Sequence, residues 1–141
     1  MRNKGFTLVE ILIVVIILGI LAAIVIPQFT EASNDARESA LASDLQTARS
    51  QLELYKVQHL DTYPAAATFV HQLTVKTDLD GTDGTTFGPY LQSFPTNPFN
   101  DDATVTVEAG TTSLGNGLTG WHFDTTTGRF SASDNAAHAA L

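Results

Sequence analysis

Cysteine is absent from the 141 residues. Its absence excludes disulfides, thiolate-bound zinc and thiol nucleophiles. A domain exported without disulfides has to fasten its loops by other means. Bases are scarce, with seven Lys and Arg against 15 Asp and Glu and a formal net charge of -8. So acidic a chain offers no broad basic face, and direct nucleic-acid binding is not expected. The four histidines, His59, His71, His122 and His138, are scattered and form no H-x-x-x-H pair. There is no phosphate loop, nucleophile elbow or H-E-x-x-H motif either, so the sequence does not read as an enzyme. Glycine and proline are missing throughout residues 28–60, which leaves that stretch without a helix breaker.

What is present begins with an apolar run of 21 residues, Phe6 to Ile26, holding one ionisable group, Glu10. At about 1.5 Å per residue it spans roughly 30 Å, the hydrocarbon thickness of a bilayer. It is longer than the roughly 7–15 residues of a secretory h-region, although Ala22-Ala23 keeps an ordinary signal cleavage open. Arg2 and Lys4 place the N-terminus on the cytoplasmic side by the positive-inside rule. The simplest reading is a single-pass anchor carrying an exported domain. A charged and unpaired Glu10 would cost about 2.5–3.5 kcal/mol or more in lipid, so it calls for a partner.

Beyond Pro27 the chain keeps helix-compatible residues. Leu41, Leu45, Ala48, Leu52 and Tyr55 step by 4, 3, 4 and 3, one apolar stripe on a helix with charged residues on its other faces. A helix is therefore expected from Phe6 to about Leu60, membrane-compatible over residues 6–27 and amphipathic over 28–60. Gly19 and Pro27 mark a stretch able to bend or unwind. The stripe is expected to pack on the chain's own head, residues 61–141.

In that head, Tyr63-Pro64 should end the long helix, because the residue before proline disfavours α geometry. Phe69, Val70 and Leu73, with Leu79 beyond them, indicate a short second helix near residues 66–75. Three stretches alternate as strands, residues 103–108, 120–124 and 128–132, the last two joined by Thr125-Thr126-Thr127 with Gly128 at a positive-φ position. Trp121, Phe123 and Phe130 should face the Leu/Tyr stripe. The expected fold is α+β, a long N-terminal helix on a small antiparallel sheet, with a thin core and a frayed tail over residues 133–141.

Lys4-Gly5-Phe6-Thr7-Leu8-Val9-Glu10, followed by a long apolar helix, resembles the processing site of type IV pilin-like precursors. That family includes type IV pilins and the pseudopilins of type II secretion. The resemblance covers residues 2–29 closely and reaches about residue 60 more loosely. It implies that residues 1–5 are a basic leader and that a prepilin peptidase cuts between Gly5 and Phe6. It implies N-methylation of Phe6, and roles for Glu10, Gly19 and Pro27 in assembly. Glycine before the cut leaves the enzyme no side chain to displace. Glu10 is then expected to pair with the Phe6 amine of a neighbouring subunit, or of its own chain one turn away, and so to set axial register. The partners implied are further copies in a helical filament, the prepilin peptidase, an inner-membrane assembly platform and minor pseudopilins. The implied location is the bacterial inner membrane as a single-pass precursor, then a periplasmic or extracellular filament.

Tyr63-Pro64, Gly88-Pro89-Tyr90-Leu91 and Phe94-Pro95-x-x-Pro98-Phe99 resemble the major pseudopilins of type II secretion. The missing cysteine pair, common in type IVa pilins, points the same way, whereas Asn97 stands where an Asp is usual. The alternatives are a pilin of a surface pilus, serving adhesion, motility or DNA uptake, and a membrane-anchored ligand-binding head. No cofactor is required, but calcium has two candidate sites. Asp78, Asp80 and Asp83 have the composition of a calcium loop without its D-x-D-x-D-G register. By the resemblance, calcium belongs in a C-terminal loop, where Asp124 and Asp134 are available. As plain turn formers, all five acids need no metal.

Overall fold

A computed structural model of the chain describes residues 5–141; Arg2 and Lys4 and the rest of the expected leader before Gly5 lie outside the described residues. Helix α1 runs Leu8–Gln58, close to the expected span. The chain divides within it into two compact units, Met1–Ala36 and Arg37–Leu141.

In the first unit the apolar side chains cover nothing. Phe6 is 81% exposed, Leu18 58% and Phe29 72%. The helix carries a window of mean hydropathy 3.3, long and apolar enough to cross a membrane. α1 continues through Gly19 and Pro27 as one unbroken helix. Pro27 offers no N–H to the turn before it. One turn on, the Thr30 hydroxyl donates to the Ile26 carbonyl at 3.2 Å.

In the second unit the stripe behaves as its spacing predicts. Leu41, Leu45, Ala48, Leu52 and Tyr55 are the buried residues of α1. They join Phe69 and Leu73 of α2 (Phe69–Thr74), Tyr90, and the strand residues Trp121, Phe123, Phe130 and Ala132 in one core. The aromatic rings interlock, Trp121 on Phe130 at 5.4 Å and Phe69 on Phe123 at 4.9 Å between centroids. The Trp121 indole N–H donates to the Pro95 carbonyl at 2.9 Å, so burying it strands no donor.

Several expectations need correction. α1 stops before Tyr63-Pro64: Leu60 and Asp61 have φ of 54° and 63°, and the Asp61 N–H bonds back to the Lys56 carbonyl at 3.0 Å. That is a left-handed helix cap with leucine where glycine is usual. Leu79 does not extend the second helical segment, a 3₁₀ turn (Ala66–Thr68) leading into α2; it is 49% exposed in the following turn.

The sheet has three strands, β1 (Val105–Glu108), β2 (Trp121–Asp124) and β3 (Arg129–Ala132), in that order. It is mixed rather than antiparallel. β2 and β3 form the expected hairpin, with Phe123 opposite Phe130, but β1 runs parallel to β2, with Val107 opposite Phe123. Parallel neighbours need a crossover of about a dozen residues, which residues 109–120 provide. β2, the central strand, is buried at all four positions rather than alternating. Gly110 donates to Asp124, Ser113 to Glu108, and Gly117 to the Ser133 carbonyl, which ties the crossover beside the sheet edge. The tail is not frayed. It forms a 3₁₀ turn (His138–Ala140) with Ala139 buried. Arg129 donates to the Ala139 carbonyl at 2.8 Å and Arg49 to those of Phe130 and Leu141 at 2.9 and 3.2 Å.

Candidate processing and assembly site

Gly5, Phe6 and Thr7 precede the helix and are exposed. A Cβ placed on Gly5 would meet nothing within 4 Å. The Gly5–Phe6 bond thus lies in exposed, non-helical chain. Thr7 then caps α1. Its hydroxyl accepts from the Glu10 N–H at 3.3 Å, while one Glu10 carboxylate oxygen takes both the Thr7 N–H, at 2.8 Å, and the Thr7 hydroxyl, at 2.7 Å. This is a capping box, which satisfies otherwise orphaned donors of the first turn. Glu10 therefore has a partner within its own chain, and that partner is Thr7. The sequence reasoning passed over Thr7, although T-x-x-E before an apolar run is the signal for it. Gly19 lies within α1 with nothing within 4 Å of its missing side chain, and Pro27 lies further along the same helix.

The candidate calcium carboxylates are engaged and dispersed. Asp124 takes the Thr127 hydroxyl at 2.6 Å and the backbone N–H groups of Gly110 and Thr126 at 2.7 and 2.8 Å. These donors, the Thr127 hydroxyl first, hold its carboxyl well below the usual range. Asp134 takes Asn97 Nδ2 at 2.9 Å, Asn135 Nδ2 at 2.7 Å and His138 Nδ1. The two acids sit at opposite ends of the β2–β3 hairpin, because Asp124 opposes Arg129 whereas Asp134 follows Ala132, the partner of Trp121. Arg129 to Ala132 is already three strand steps of about 3.4 Å, and Asp134 lies two residues beyond, so the two acids are more than roughly 10 Å apart along the chain direction, too far to share an ion bound at about 2.3–2.6 Å. Asp78 takes the Thr86 hydroxyl at 2.6 Å and the N–H groups of Thr85 and Thr86; Asp80 takes the Thr82 hydroxyl and N–H; Asp83 faces His71 Nε2 at 2.8 Å. Their hydroxyl partners, Thr86 and Thr82, are the leading reason that Asp78 and Asp80 titrate below the ordinary range. Among the described residues, no three Asp, Glu, His or Cys converge as a metal-holding group.

The prokaryotic N-terminal methylation motif matches residues 1–26. Across the chain, similarity extends to the type II secretion system core protein G of Pseudomonas aeruginosa, 32% identical over 71% of this chain and 70% of that protein. The core protein G of Vibrio cholerae is 29% identical, over 72% of this chain and 68% of its own length. The chain belongs to the type II secretion system core protein G family, the major pseudopilins. It also resembles the type IV narrow pilus major component PilA5 of Thermus thermophilus, 40% identical over 58 residues, which are 41% of this chain and half of the other. No solved structure matches it. As a member of this family the pseudopilin is a structural subunit, made as a membrane-anchored precursor. In it Asn97 is buried and works as a structural amide: its Nδ2 donates to the Gly120 carbonyl and to Asp134, and its Oδ1 accepts from the Phe99 N–H. A carboxylate at 97 would lack those two donations.

Proposed function

We propose that this protein is the major subunit of a type II secretion pseudopilus. A prepilin peptidase cuts it between Gly5 and Phe6 on the cytoplasmic face of the inner membrane and methylates the new amine. The subunits then leave the membrane and polymerise with their apolar helices bundled and their heads outward, in the periplasm. The observation that carries this reading is the uncovered apolar segment of α1 behind a G-F-T-L-V-E junction, while the head closes its own core. The head's core contains none of the first unit's side chains, so their 41–81% exposure calls for lipid first and other helices afterwards. Removing Arg2 and Lys4 takes away the cationic anchors that favour staying in the bilayer. Glu10 and the methylated Phe6 amine pair between neighbouring subunits and set register.

The test is N-terminal mass analysis of membrane and sheared-filament material, together with secretion by a strain lacking the protein. Mature chains starting at methylated Phe6 and loss of secretion are expected. A start after Ala22 or Ala23 would mean an ordinary signal peptide and would sink the reading. The likeness to the Thermus pilus component favours a surface pilus as second reading; filaments outside wild-type cells, with secretion unaffected by deletion, would select it.

A further inference from the structure

Where α1 ends, a cavity of about 190 Å³ opens among Tyr55, Leu60, Leu79, Asp80 and Gly81. That is room for several waters or for one long side chain. Its rim is apolar and strained: Leu60 is 74% exposed and Leu79 49%, and Leu60 holds a left-handed backbone that leucine rarely adopts. Its polar floor is not closed. Tyr55 is 2% exposed, lines the cavity, and its phenol makes no hydrogen bond among the described residues. A Cβ on Gly81 would stand 2.9 Å from that phenol oxygen, so the glycine leaves it open. Asp80 uses one carboxylate oxygen for Thr82 and leaves the other unbonded. The neighbouring polar groups are already spent, His59 on the Tyr55 carbonyl and Thr77, Gln72 on Ala65 and Gly81. What remains is two oxygen acceptors above a buried ring between two leucines. That is a site for a cationic side chain with an apolar stem.

The chain holds a matching group. Among the bases beyond the leader, Arg49 and Arg129 bind backbone carbonyls of β3 and the tail and Lys56 pairs with Asp61. The side chains of Arg37 and Lys76 make no hydrogen bond or ion pair among the described residues. Lys76 precedes the same acidic turn, so it lies at the cavity's own end of the head. Arg37 stands four residues before Leu41, on the face of α1 that packs on the head, one turn past the last covered position. Along α1, 22 residues separate Arg37 from His59, about 33 Å at the helical rise. A cation at one end of the head and its receptor at the other, in subunits of like orientation, make a heterologous contact, and such contacts propagate as open filaments.

We propose that this cavity receives the Arg37 side chain of a second copy stacked head-to-tail along α1, with Asp80 and the Tyr55 phenol as its acceptors. The inference rests on the filament reading and deepens it by naming a contact between heads.

The experiment uses the full chain in cells that assemble it, with Arg37→Asp, Asp80→Arg and the double exchange, measured as sheared filament at equal precursor level. Each single change brings like charges together and should lower filament yield roughly tenfold or more, and the double should restore most of it. Because the chain has no cysteine, Arg37→Cys with Asp80→Cys should give an oxidised ladder of multimers, while Arg37→Cys with Lys76→Cys should not. Unchanged yield in the single variants overturns the contact. Loss in both singles without rescue, and without the ladder, also overturns it and assigns the cavity to a cation of another protein. If the unaltered chain forms no filament, the reading beneath it fails and the contact with it.

Discussion

Two glycines with the same backbone demand differ in what surrounds them, and this separates conformational strain from packing. Gly110 and Gly128 have φ of 89° and 75°, in the left-handed region where an L side chain costs about 1–2 kcal/mol. Around Gly110 a new Cβ would meet nothing within 4 Å. At Gly128 it would stand within van der Waals overlap of Tyr63, 2.7 Å from Cζ and 2.9 Å from Cε2. That ring cannot swing away freely. It packs edge-on to Phe123 at 5.1 Å, its hydroxyl donates to Glu53 at 2.8 Å, and the Lys56 ammonium sits 4.7 Å from its centroid. Overpacking of a fixed group adds roughly 1–3 kcal/mol. Gly110→Ala should therefore cost about 1–2 kcal/mol, and Gly128→Ala about 2–5 kcal/mol in sum. Urea unfolding of a head fragment, followed by fluorescence of the single Trp121, reads both. The decisive measurement is Gly128→Ala in a Tyr63→Ala background, where its cost should fall to that of Gly110→Ala. Equal costs for the two glycines, or no coupling to Tyr63, would refute the packing argument.

Arg49→Met keeps the stem but loses the bonds to the Phe130 and Leu141 carbonyls, and should destabilise the head by about 1.5–3 kcal/mol, the worth of a charged hydrogen bond, with faster carboxypeptidase trimming from Leu141. Asp124 titrates below its unfolded value, so its contribution is complete above the ordinary carboxylate pKa of about 3.9 and is lost as pH falls through the folded pKa; Asp124→Asn should flatten the acid limb of stability below about pH 5. Each candidate calcium acid already takes protein donors, so a chelator should leave the melting temperature of the head unchanged, and a fall that Asp124→Asn abolishes would place a calcium ion at the crossover. Thr7→Ala should remove only the cap, at about 1 kcal/mol, and spare filament yield, whereas Glu10→Val should suppress it at equal precursor level; equal defects would reduce Glu10 to a capping residue.

Periodicity made the helices legible, because the stripe from Leu41 to Tyr55 has one solution on a helix of 3.6 residues per turn. The β2–β3 hairpin was legible for the same local reason: threonines, then Gly128, between alternating strands. β1 was not. Val105 and Val107 alternate equally well in either direction, and only the length of the 109–120 connection, read as a loop, held the information that the strand returns parallel. The tail was misread because Ala136 and Ala137 are bland. What orders it comes from two arginines, one of them on α1 with |i−j| of 92 to Leu141, a separation no local pattern reports. The end of α1 was legible to within two residues, but the cap that makes it was not, for a related reason. Leu60 occupies a glycine's conformation, and tertiary packing of His59 beneath it, stacked on Tyr55 at 3.8 Å, enforces a backbone that propensity argues against.

Glu10 brings these levels together. As an isolated charge in lipid it would demand a distant partner, and that demand motivated the inter-subunit pairing. The capping box weakens the demand, since two Thr7 donors already hold one carboxylate oxygen. In the precursor the Phe6 nitrogen is a peptide amide, and among the described residues Glu10 is held by Thr7. On the proposed cleavage, that nitrogen becomes a cation one residue before the cap. Both the cap and the new pair are charge-assisted, but only the amine brings a full opposite charge, and attraction between unlike charges in low dielectric then favours it over Thr7, on its own chain or on the next. The leader's removal thus does more than shed Arg2 and Lys4. On that proposal it creates the group that would draw Glu10 from its cap, which would tie the register device to processing.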